Sequence, residues 1–403
     1  MEAWRKIRLG DACKTNANSY SPKEEWDFVN YLDTGNITNN RIDSIQFIDV
    51  RSEKLPSRAR RKVKKDSIIY STVRPNQRHF GIIKSQPEHF LVSTGFAVID
   101  VDANVLDADF LYYLLTQAAL VEALHAIAEQ STSAYPSIKP SDIEDLEIEI
   151  PDLATQKKIA DVLGSMDRRI TQNTGINNNL EQQLRTIFKA EFTDNPELEN
   201  ITQIPLSELC HVVTKGTTPT TLGKPFVESG INFIKAESIL DDHSIDKSKF
   251  AFIDEETNAL LKRSIIHAGD VVFTIAGTLG RFALIDENVL PANTNQAVAI
   301  IRADVEKVLP EYIYTCFIGE WHTDYYAKRV QQAVQANLSL TTIKSLPISL
   351  LDEAKMSEYL SLILPLIKAI KTNEAQNEKL AALRDNLLPK LMSGEIDVSA
   401  VQL

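Results

Sequence analysis

The chain consists of two related halves whose residues match at an offset of about 200 positions. In the carboxyl-terminal part of each half the offset stays at 200 for about 50 residues, and towards the amino terminus it drifts between 197 and 204. Matching pairs are Ile143 and Ile343, Leu146 and Leu346, Ile148 and Ile348, Leu163 and Ile363, and Leu180 and Leu380. A drifting offset indicates loops of different lengths, whereas a constant offset indicates a segment whose length the fold constrains. Each half is therefore predicted to be a globular domain followed by a segment of constant length.

The globular parts carry short β-type runs among short helical patterns, which predicts mixed α/β domains. The β-type runs are Ser67–Thr72, Phe96–Val101, Val271–Ile275 and Ala297–Ile301. A polar linker is predicted over Thr193–Pro205, where Pro196 and Pro205 disfavour a helix. The predicted domains are residues 1–150 and 194–350, and the predicted spacer helices are residues 151–193 and 351–403, the latter with a carboxyl-terminal tail.

Two long helices are predicted, at about 153–190 and 352–392, because apolar and Asn residues recur in them at alternating gaps of four and three. The seam residues are Ile159, Leu163, Met166, Ile170, Asn173, Asn177 and Leu180 in the first helix, and Ile363, Leu366, Ile370, Asn373, Asn377 and Leu380 in the second. Arg384 is the one position where the repeated seam is broken. An Asn in a helix seam sets register and pairing. The pattern predicts that the helices pack antiparallel on each other; the alternative is that each helix folds back on its own domain.

The second helix contains Pro365 and Pro389, which predict a kink or an end at either position. At 1.5 Å per residue, helices of this length reach roughly 55–60 Å.

Three segments show a likeness to a known family. They are Ile150-Pro151-Asp152 followed by Gln156-Lys157-Lys158-Ile159, the terminal run Asn386–Ile396 (NLLPKLMSGEI), and the pair Asp66–Pro75 (DSIIYSTVRP) and Gly269–Phe273 (GDVVF). Combined with the two-half layout, they make the chain resemble the DNA-specificity (S) subunits of type I restriction-modification systems. The start of the second helix, Leu351–Ser357, departs from the pattern because it lacks the Pro and Gln of the first.

The resemblance implies an α+β fold: two mixed α/β target-recognition domains separated by two long helices packed as an antiparallel coiled coil, with an internal pseudo-twofold repeat. It further implies that each domain reads one half of a split target on double-stranded DNA. The helices would set the spacing between the half-sites and dock two adenine-N6 methyltransferase (M) subunits, which bind S-adenosylmethionine. Motor-nuclease (R) subunits would complete the complex. This chain would be non-catalytic and would bind no cofactor itself.

The charge of the chain limits where DNA can bind. With 43 Lys and Arg against 55 Asp and Glu, the formal charge is −12, which excludes a uniformly basic surface. The run from Arg51 to Lys65 nevertheless holds eight basic residues and one acidic residue, a composition that neutralises phosphates. Arg, Asn and Gln, the side chains that read bases, follow at residues 74–78. The predicted contacts are Arg58, Arg60, Arg61, Lys62, Lys64, Lys65, Arg74, Asn76, Gln77 and Arg78; a solvated charge run and a surface turn are the alternatives.

The second half offers fewer candidates. Hydroxyl-rich and glycine-rich loops can approach phosphates closely, and Asn or Gln can read adenine. The predicted contacts are Lys215, Thr217, Thr218 and Thr220 in one loop, Thr278 and Arg281 in a second, and Asn293, Asn295 and Gln296 before a strand. Structural turns are the alternative for each.

Other classes of function find little support. The three cysteines lie far apart, the histidines show no metal-ligand spacing, and no P-loop or GxSxG motif occurs. The most apolar stretch, Tyr359–Ile370, is too short for a membrane span, so a cytoplasmic protein without a membrane partner is expected. The rival function is a two-headed coiled-coil adaptor for proteins, without DNA specificity. DNA binding that falls steeply with salt would distinguish a specificity subunit from such an adaptor, which would not bind DNA.

Overall fold

A computed structural model of the chain describes residues 4–131, 135–194, 202–320, 323, 325 and 337–398. The chain divides into two compact units, unit 1 (residues 1–168 and 380–403) and unit 2 (residues 169–379). Both divisions fall inside a long helix, so each long helix contributes residues to both units.

Unit 1 contains two four-stranded sheets and short helices. Its strands are β1 (Arg5–Arg8), β2 (Cys13–Thr15), β3 (Phe28–Leu32), β4 (Ile37–Thr38), β5 (Arg41–Ile42), β6 (Gln46–Asp49), β7 (Ala59–Lys62), β8 (Ile68–Ser71), β9 (Phe80–Ile82), β10 (Phe90–Ser93), β11 (Phe96–Val101) and β12 (Glu147–Ile150). Its helices are α1 (Ala108–Thr116), α2 (Ala118–Glu129), α3 (Pro140–Glu144) and the first part of α4 (Leu153–Phe192).

The sheet β2-β11-β8-β9 is covered on both faces, because alternate residues of its central strands enter different apolar clusters. Ile68 and Tyr70 join a cluster with α1, α2 and the long helices, whereas Ile69 packs towards the second sheet, β6-β3-β10-β7. The first cluster includes Leu163 and, from the carboxyl-terminal end of the chain, Leu391. Unit 1 is thus closed by residues from both ends of the sequence.

Unit 2 follows a similar plan, with one four-stranded sheet and one three-stranded sheet. Its strands are β13 (Thr202–Pro205), β14 (Cys210–Lys215), β15 (Ile231–Ile234), β16 (Ala251–Ile253), β17 (Val271–Thr274), β18 (Phe282–Leu284), β19 (Ala292–Thr294), β20 (Val298–Ala303) and β21 (Pro347–Leu350). Its helices are α5 (Glu255–Leu260), α6 (Pro310–Ile318), α7 (Leu340–Lys344) and most of α8 (Glu353–Met392).

The predicted repeat is confirmed at the level of strand order. The sheet β14-β20-β17-β18 of unit 2 corresponds strand for strand to β2-β11-β8-β9 of unit 1, and the ribbon β13–β21 corresponds to β1–β12. In the ribbons Ile7 pairs with Ile148, and Ile204 pairs with Ile348. The four predicted strands lie within two residues of β8, β11, β17 and β20.

The predicted linker is corrected at its carboxyl end. Thr202–Pro205 forms β13, because its residues complete the antiparallel ribbon with β21. Residues 195–201 of the linker, including Pro196, lie outside the described part of the chain.

An aspartate immediately precedes each long helix and caps its amino end. The Asp152 carboxylate accepts hydrogen bonds from the backbone N–H groups of Ala154 (2.9 Å) and Thr155 (3.0 Å), and the Asp352 carboxylate accepts from that of Lys355 (2.9 Å). These are ordinary N-terminal caps, so the second helix is capped although it lacks the Pro and Gln of the first.

The predicted antiparallel coiled coil is confirmed by amide contacts between α4 and α8 in unit 2. The Asn173 side chain donates to the Asn377 side chain (2.8 Å), and the Asn373 side chain donates to that of Asn177 (2.8 Å). Asn177 also donates to the backbone carbonyl of Ile370 (3.3 Å). Partner numbers fall as helix numbers rise, which defines the antiparallel direction.

The alternative, in which each helix packs only on its own domain, is wrong. The carboxyl-terminal part of α4 buries Leu184 and Phe188 in the core of unit 2, and that of α8 buries Leu391 and Met392 in the core of unit 1. The remaining seam positions are fully or half buried: Ile159, Leu163, Met166, Ile170, Leu180, Ile363, Leu366, Ile370 and Leu380.

The helix α8 passes through Pro365 and Pro389 without ending, so an end at either proline is wrong. Pro365 lies on the exposed side of the helix, while Tyr359, Ile363 and Ile367 on the other side are buried. Burial of that face stabilises the helix by more than the proline costs it.

No single described helix is long and apolar enough to cross a bilayer, and one bent pair, α1 with α2, meets the length and composition criteria only when the two are combined.

Gln156, from the family-like helix start, generates a stability prediction. Its fully buried amide accepts from the Asp107 backbone N–H (2.9 Å) and donates to the carbonyls of Val105 (3.2 Å) and Pro151 (3.0 Å). Gln156→Ala leaves these groups unpaired, so we expect the free energy of unfolding of unit 1 to fall by about 3 kcal/mol. Hydrogen exchange of α1 amides in increasing urea measures it. The exposed Gln172→Ala is the control, and an equal effect in both variants would contradict the prediction.

Candidate nucleic-acid interface

The basic run of unit 1 lies on and around strand β7. Because side chains alternate along a strand, Ala59 is fully buried while Arg58 and Arg60 are exposed. Arg61 is half buried, and Lys64 and Lys65 are exposed. The basic run is therefore a surface feature, as predicted.

Part of this positive charge is neutralised within unit 1. Lys62 forms an ion pair with Glu24 and lies 5.0 Å above the ring of Trp26, and it lowers the pKa of the Glu24 carboxyl. The Lys64 ammonium is 3.9 Å from the Asp100 carboxylate. The side chains of Arg58, Arg60 and Lys65 make no hydrogen bond or ion pair within the described part of unit 1. They are the cations left to meet phosphates.

A strained turn presents the predicted base-reading residues. Pro75–Gln77 forms a single 3-10 turn, flanked by Arg74 (φ 47°) and Arg78 (φ 57°) in the left-handed region. Asn76 and Gln77 are exposed, and the Arg74 guanidinium lies 5.2 Å from the ring centre of Tyr135. Non-glycine residues rarely adopt positive φ, and such strain concentrates at functional sites.

A second turn, missed by the sequence analysis, is joined to the first. The hairpin β4–β5 turns at Asn39 (φ 48°) and Asn40 (φ 66°). The Asn39 N–H donates to the Arg78 carbonyl (2.9 Å), and the Asn40 N–H donates to the Phe80 carbonyl (2.8 Å). Asn39 and the neighbouring Arg41 are exposed, and both are residue types that can hydrogen-bond to base edges. The sequence does carry a signal for this turn, since Asn39-Asn40 is a pair of residues that tolerates the positive φ of a two-residue hairpin.

A cleft of about 580 Å³ in unit 1 reaches from these turns to the long helices; its lining includes Asn39, Arg78, Tyr113, Asp167 and Arg384. The Asp167 carboxylate accepts from the Tyr113 hydroxyl (2.6 Å) and from the Arg384 guanidinium (2.5 Å). Burial raises the pKa of Tyr113. Burial lowers the pKa of Arg384, but the attraction of Asp167 outweighs it and leaves that pKa raised. Arg384, which interrupts the predicted apolar seam, therefore forms an ion pair with Asp167.

In unit 2 the threonine loop meets the segment before β20. The Thr218 hydroxyl donates to the Gln296 side chain, and the Arg263 guanidinium donates to the Thr217 hydroxyl (3.5 Å). A Cβ at Gly216 would lie 1.8 Å from the Thr294 carbonyl oxygen, so only glycine permits this approach. The exposed Arg263 was missed by the sequence analysis, although the pair Lys262-Arg263 is visible in the sequence.

The other predicted contacts of unit 2 surround this group. Thr220, Gln296 and Thr278 are exposed, and Lys215 is half buried. Asn295 is half buried, and its side chain accepts from the Ala297 N–H (3.0 Å), which closes the turn before β20.

Two predicted contacts of unit 2 have hydrogen-bond partners inside the unit. Asn293 is fully buried: its side chain accepts from the Ser264 hydroxyl (2.7 Å) and donates to the Asn258 side chain (2.8 Å), so it holds the core together instead of facing DNA. Arg281 donates two hydrogen bonds to the Asp241 carboxylate (2.6 and 2.7 Å) and one to the Ile239 carbonyl (3.2 Å), which leaves its charge compensated.

Within the described ranges, no group of three or more His, Cys, Asp or Glu side chains is placed to hold a metal ion.

Comparison with known proteins relates both halves to one family. The family model described as Type I restriction modification DNA specificity domain matches residues 1–182 and 199–382. The chain is 25% identical over 476 residues to the type I restriction enzyme HindI specificity subunit of Haemophilus influenzae, covering 98% of this chain and 100% of that one. It is 26% identical over 312 residues to the type I restriction enzyme MjaIX specificity subunit of Methanocaldococcus jannaschii, covering 72% and 69%.

Among solved structures, the type-I restriction-modification system S subunit from M. genitalium shares the fold. The alignment has a TM-score of 0.56 at 16% identity and covers 96% of each chain.

Because Asn293 is fully buried, we expect it to stabilise the core and not to contact bases. Asn293→Ala leaves the Ser264 and Asn258 side chains without partners, so we expect the free energy of unfolding of unit 2 to fall by about 2–3 kcal/mol. Hydrogen exchange of β15 and β19 amides measures the loss, with the exposed Gln296→Ala as control. Unchanged stability together with a changed DNA target would show that the assignment is wrong.

Proposed function

The chain belongs to the family of type I restriction-modification DNA specificity proteins, and from this membership we propose how it reads DNA. It is the DNA-recognition subunit of a type I restriction-modification system, and the adaptor without DNA specificity is not favoured. We propose that residues 1–150 and 194–350 are two target-recognition domains, each reading one half of a split target on double-stranded DNA. Residues 151–193 and 351–403 then supply the spacer helices and the tail.

The two joined turns of unit 1 carry the proposal for the first half-site. Base reading requires side chains of Arg, Asn or Gln held in a rigid frame. The turns supply Arg74, Asn76, Gln77 and Arg78, with Asn39 and Arg41 beside them, and the backbone hydrogen bonds between the turns supply the rigidity. Positive charge along β7 would hold the phosphates of the same half-site, chiefly through Arg58, Arg60 and Lys65, with Arg61, Lys62 and Lys64 at its margin.

For the second half-site we propose the surface around the threonine loop of unit 2. Arg263 and Lys215 provide charge, and the threonine hydroxyls and backbone N–H groups near Gly216 can bind phosphate. Gln296 is the exposed side chain suited to adenine. This surface carries less positive charge than that of unit 1, so unit 1 would supply most of the electrostatic affinity.

The long helices are proposed to dock the partner subunits. Apart from the seam, they expose Ile176 (44%), Leu362 (49%) and Leu383 (48%), which are apolar positions available to helices of two adenine-N6 methyltransferase subunits. S-adenosylmethionine and the transfer chemistry would belong to those subunits, and motor-nuclease subunits would join through them. The described cysteines, Cys13, Cys210 and Cys316, are free thiols, in keeping with action in the cytoplasm.

The unpaired cations of unit 1 generate a salt-dependence prediction. Each phosphate contact contributes about 0.9 to the slope of log K against log salt concentration. We expect the triple variant Arg58→Gln, Arg60→Gln, Lys65→Gln to lower that slope by about 2.7, measured by fluorescence anisotropy on the complex with its methyltransferase subunits.

The matched control removes three cations that already have carboxylate partners. Lys6, Arg8 and Arg51 pair with Glu147, Asp145 and Asp49 in unit 1. Their triple Gln variant has the same net charge as the test variant, and its slope should stay near that of the unmodified chain. Equal slopes in both triple variants would exclude β7 as the phosphate-binding surface.

The paired helices generate a spacing prediction. Inserting one heptad after Gly175 and another after Ala375 keeps the seam in register and lengthens each helix by about 10 Å, or about three base pairs of B-form DNA. We expect the half-sites to keep their sequences while the unread spacer grows by about three base pairs.

Mapping methylated adenines in cells that carry the variant and its methyltransferase measures the spacer. A heptad inserted in one helix only mismatches the pair and serves as the control, with methylation lost. If the complex that contains the doubly lengthened chain still methylates targets with the original spacer length, the proposed role of the helices is refuted.

A further inference from the structure

Because the two halves repeat, each long helix has two conceivable kinds of partner. Helix α4 pairs with α8 of its own chain, yet it resembles α8 closely enough to pair with α4 of a second copy. The asparagine contacts do not separate these cases. Asn173 and Asn177 repeat as Asn373 and Asn377, so every antiparallel combination of the helices matches Asn with Asn. The amides set the register of the pair but leave the choice of partner open.

One position of the seam is not symmetric. In unit 1, Asp167 of α4 faces Arg384 of α8 at 2.5 Å. Adding 200 to Asp167 gives Ile367, and subtracting 200 from Arg384 gives Leu184. Leu184 and Ile367 are 0% and 4% exposed and belong to one apolar cluster of unit 2. An ion pair at one location of the repeat thus corresponds to an apolar pair at the other.

This asymmetry penalises wrong pairing. If α4 paired with α4 of another copy in the same register, Asp167 would face Leu184; if α8 paired with α8, Arg384 would face Ile367. Either case separates the charge from its oppositely charged partner on the facing helix and places it against an apolar side chain, which is costly in a partly buried seam. Only α4 with α8 matches charge with charge and apolar with apolar.

We propose that the Asp167–Arg384 pair decides which helix each long helix accepts as its partner. It directs α4 to α8 and disfavours pairing between two copies of the same helix. The Tyr113 hydroxyl, which donates to Asp167 at 2.6 Å, orients the carboxylate for this contact. A chain paired in this way carries two different domains, so its DNA target is asymmetric. The asymmetry of the target rests on the proposed function, whereas the pairing of the helices does not.

The test uses full-length chains and no DNA, so its failure is distinguishable from failure of the proposed function. Asp167→Arg places two cations at the contact, and Arg384→Asp places three carboxylates there, because Asp385 also binds Arg384 (2.8 Å). Each single variant should raise the unfolding equilibrium constant roughly 10-fold, because the native state is destabilised. The double variant Asp167→Arg, Arg384→Asp should recover at least half of that loss on a logarithmic scale.

Co-expression of the two single variants tests partner choice directly. Exchange of helices between the copies restores both contacts, Asp167 of one chain with Arg384 of the other and the two introduced residues with each other. We therefore expect a heterodimer after tandem affinity purification under two different tags, and none from two differently tagged unmodified chains. Asp161→Arg, an exposed site on the same helix, is the control with the same change of charge.

Two results would overturn the proposal. The first is that Asp167→Arg and Arg384→Asp are as stable as Asp161→Arg. The second is that the co-expressed variants yield no more heterodimer than the unmodified pair, measured by size-exclusion chromatography with light scattering.

Discussion

The antiparallel pairing of α4 and α8 is the interaction on which the rest of the protein depends. Each helix starts in one unit and ends in the other, so neither apolar core is complete without both helices. The pairing contacts are polar amides in unit 2 and an ion pair in unit 1, which stabilise less than apolar packing but tolerate fewer alternatives. Stability therefore comes mainly from the apolar ends of the helices, the register from the amides, and the proposed choice of partner from the ion pair.

The long helices and the central strands could be predicted because their signals are local and periodic. A seam of apolar residues spaced by fours and threes predicts a helix without knowledge of the tertiary contacts, and the Asn residues at repeated seam positions already indicated that the two helices pair. The role of Arg384 could not be predicted, since a lone charge in an apolar pattern reads as a defect until its partner, more than 200 positions away, is known. The same limit applies to Asn293, whose residue type suits base reading but whose position in β19 places it in the core.

The two domains use one set of sheets to present different surfaces. Strand order is repeated in the four-stranded sheet that packs on the long helices, whereas the second sheet has four strands in unit 1 and three in unit 2. Sequence length varies where turns leave the sheets. The basic run and the two strained turns occur in unit 1. The surface proposed for the second half-site in unit 2 instead presents threonine hydroxyls and the exposed pair Lys262-Arg263. A repeated scaffold with unlike turns can read two unlike half-sites, which a repeat with identical turns could not do.

The positive φ values of unit 1 add a physical reason for assigning recognition to its turns. Asn39, Asn40, Arg74 and Arg78 all adopt left-handed backbone, at a cost of order 1–3 kcal/mol each, and an unconstrained surface loop would relax. The hydrogen bonds from Asn39 and Asn40 to the Arg78 and Phe80 carbonyls hold the two turns against each other, so the strain persists. A frame that stays strained in the free protein has already lost the freedom that binding would otherwise remove, and its side chains can meet base edges without further ordering.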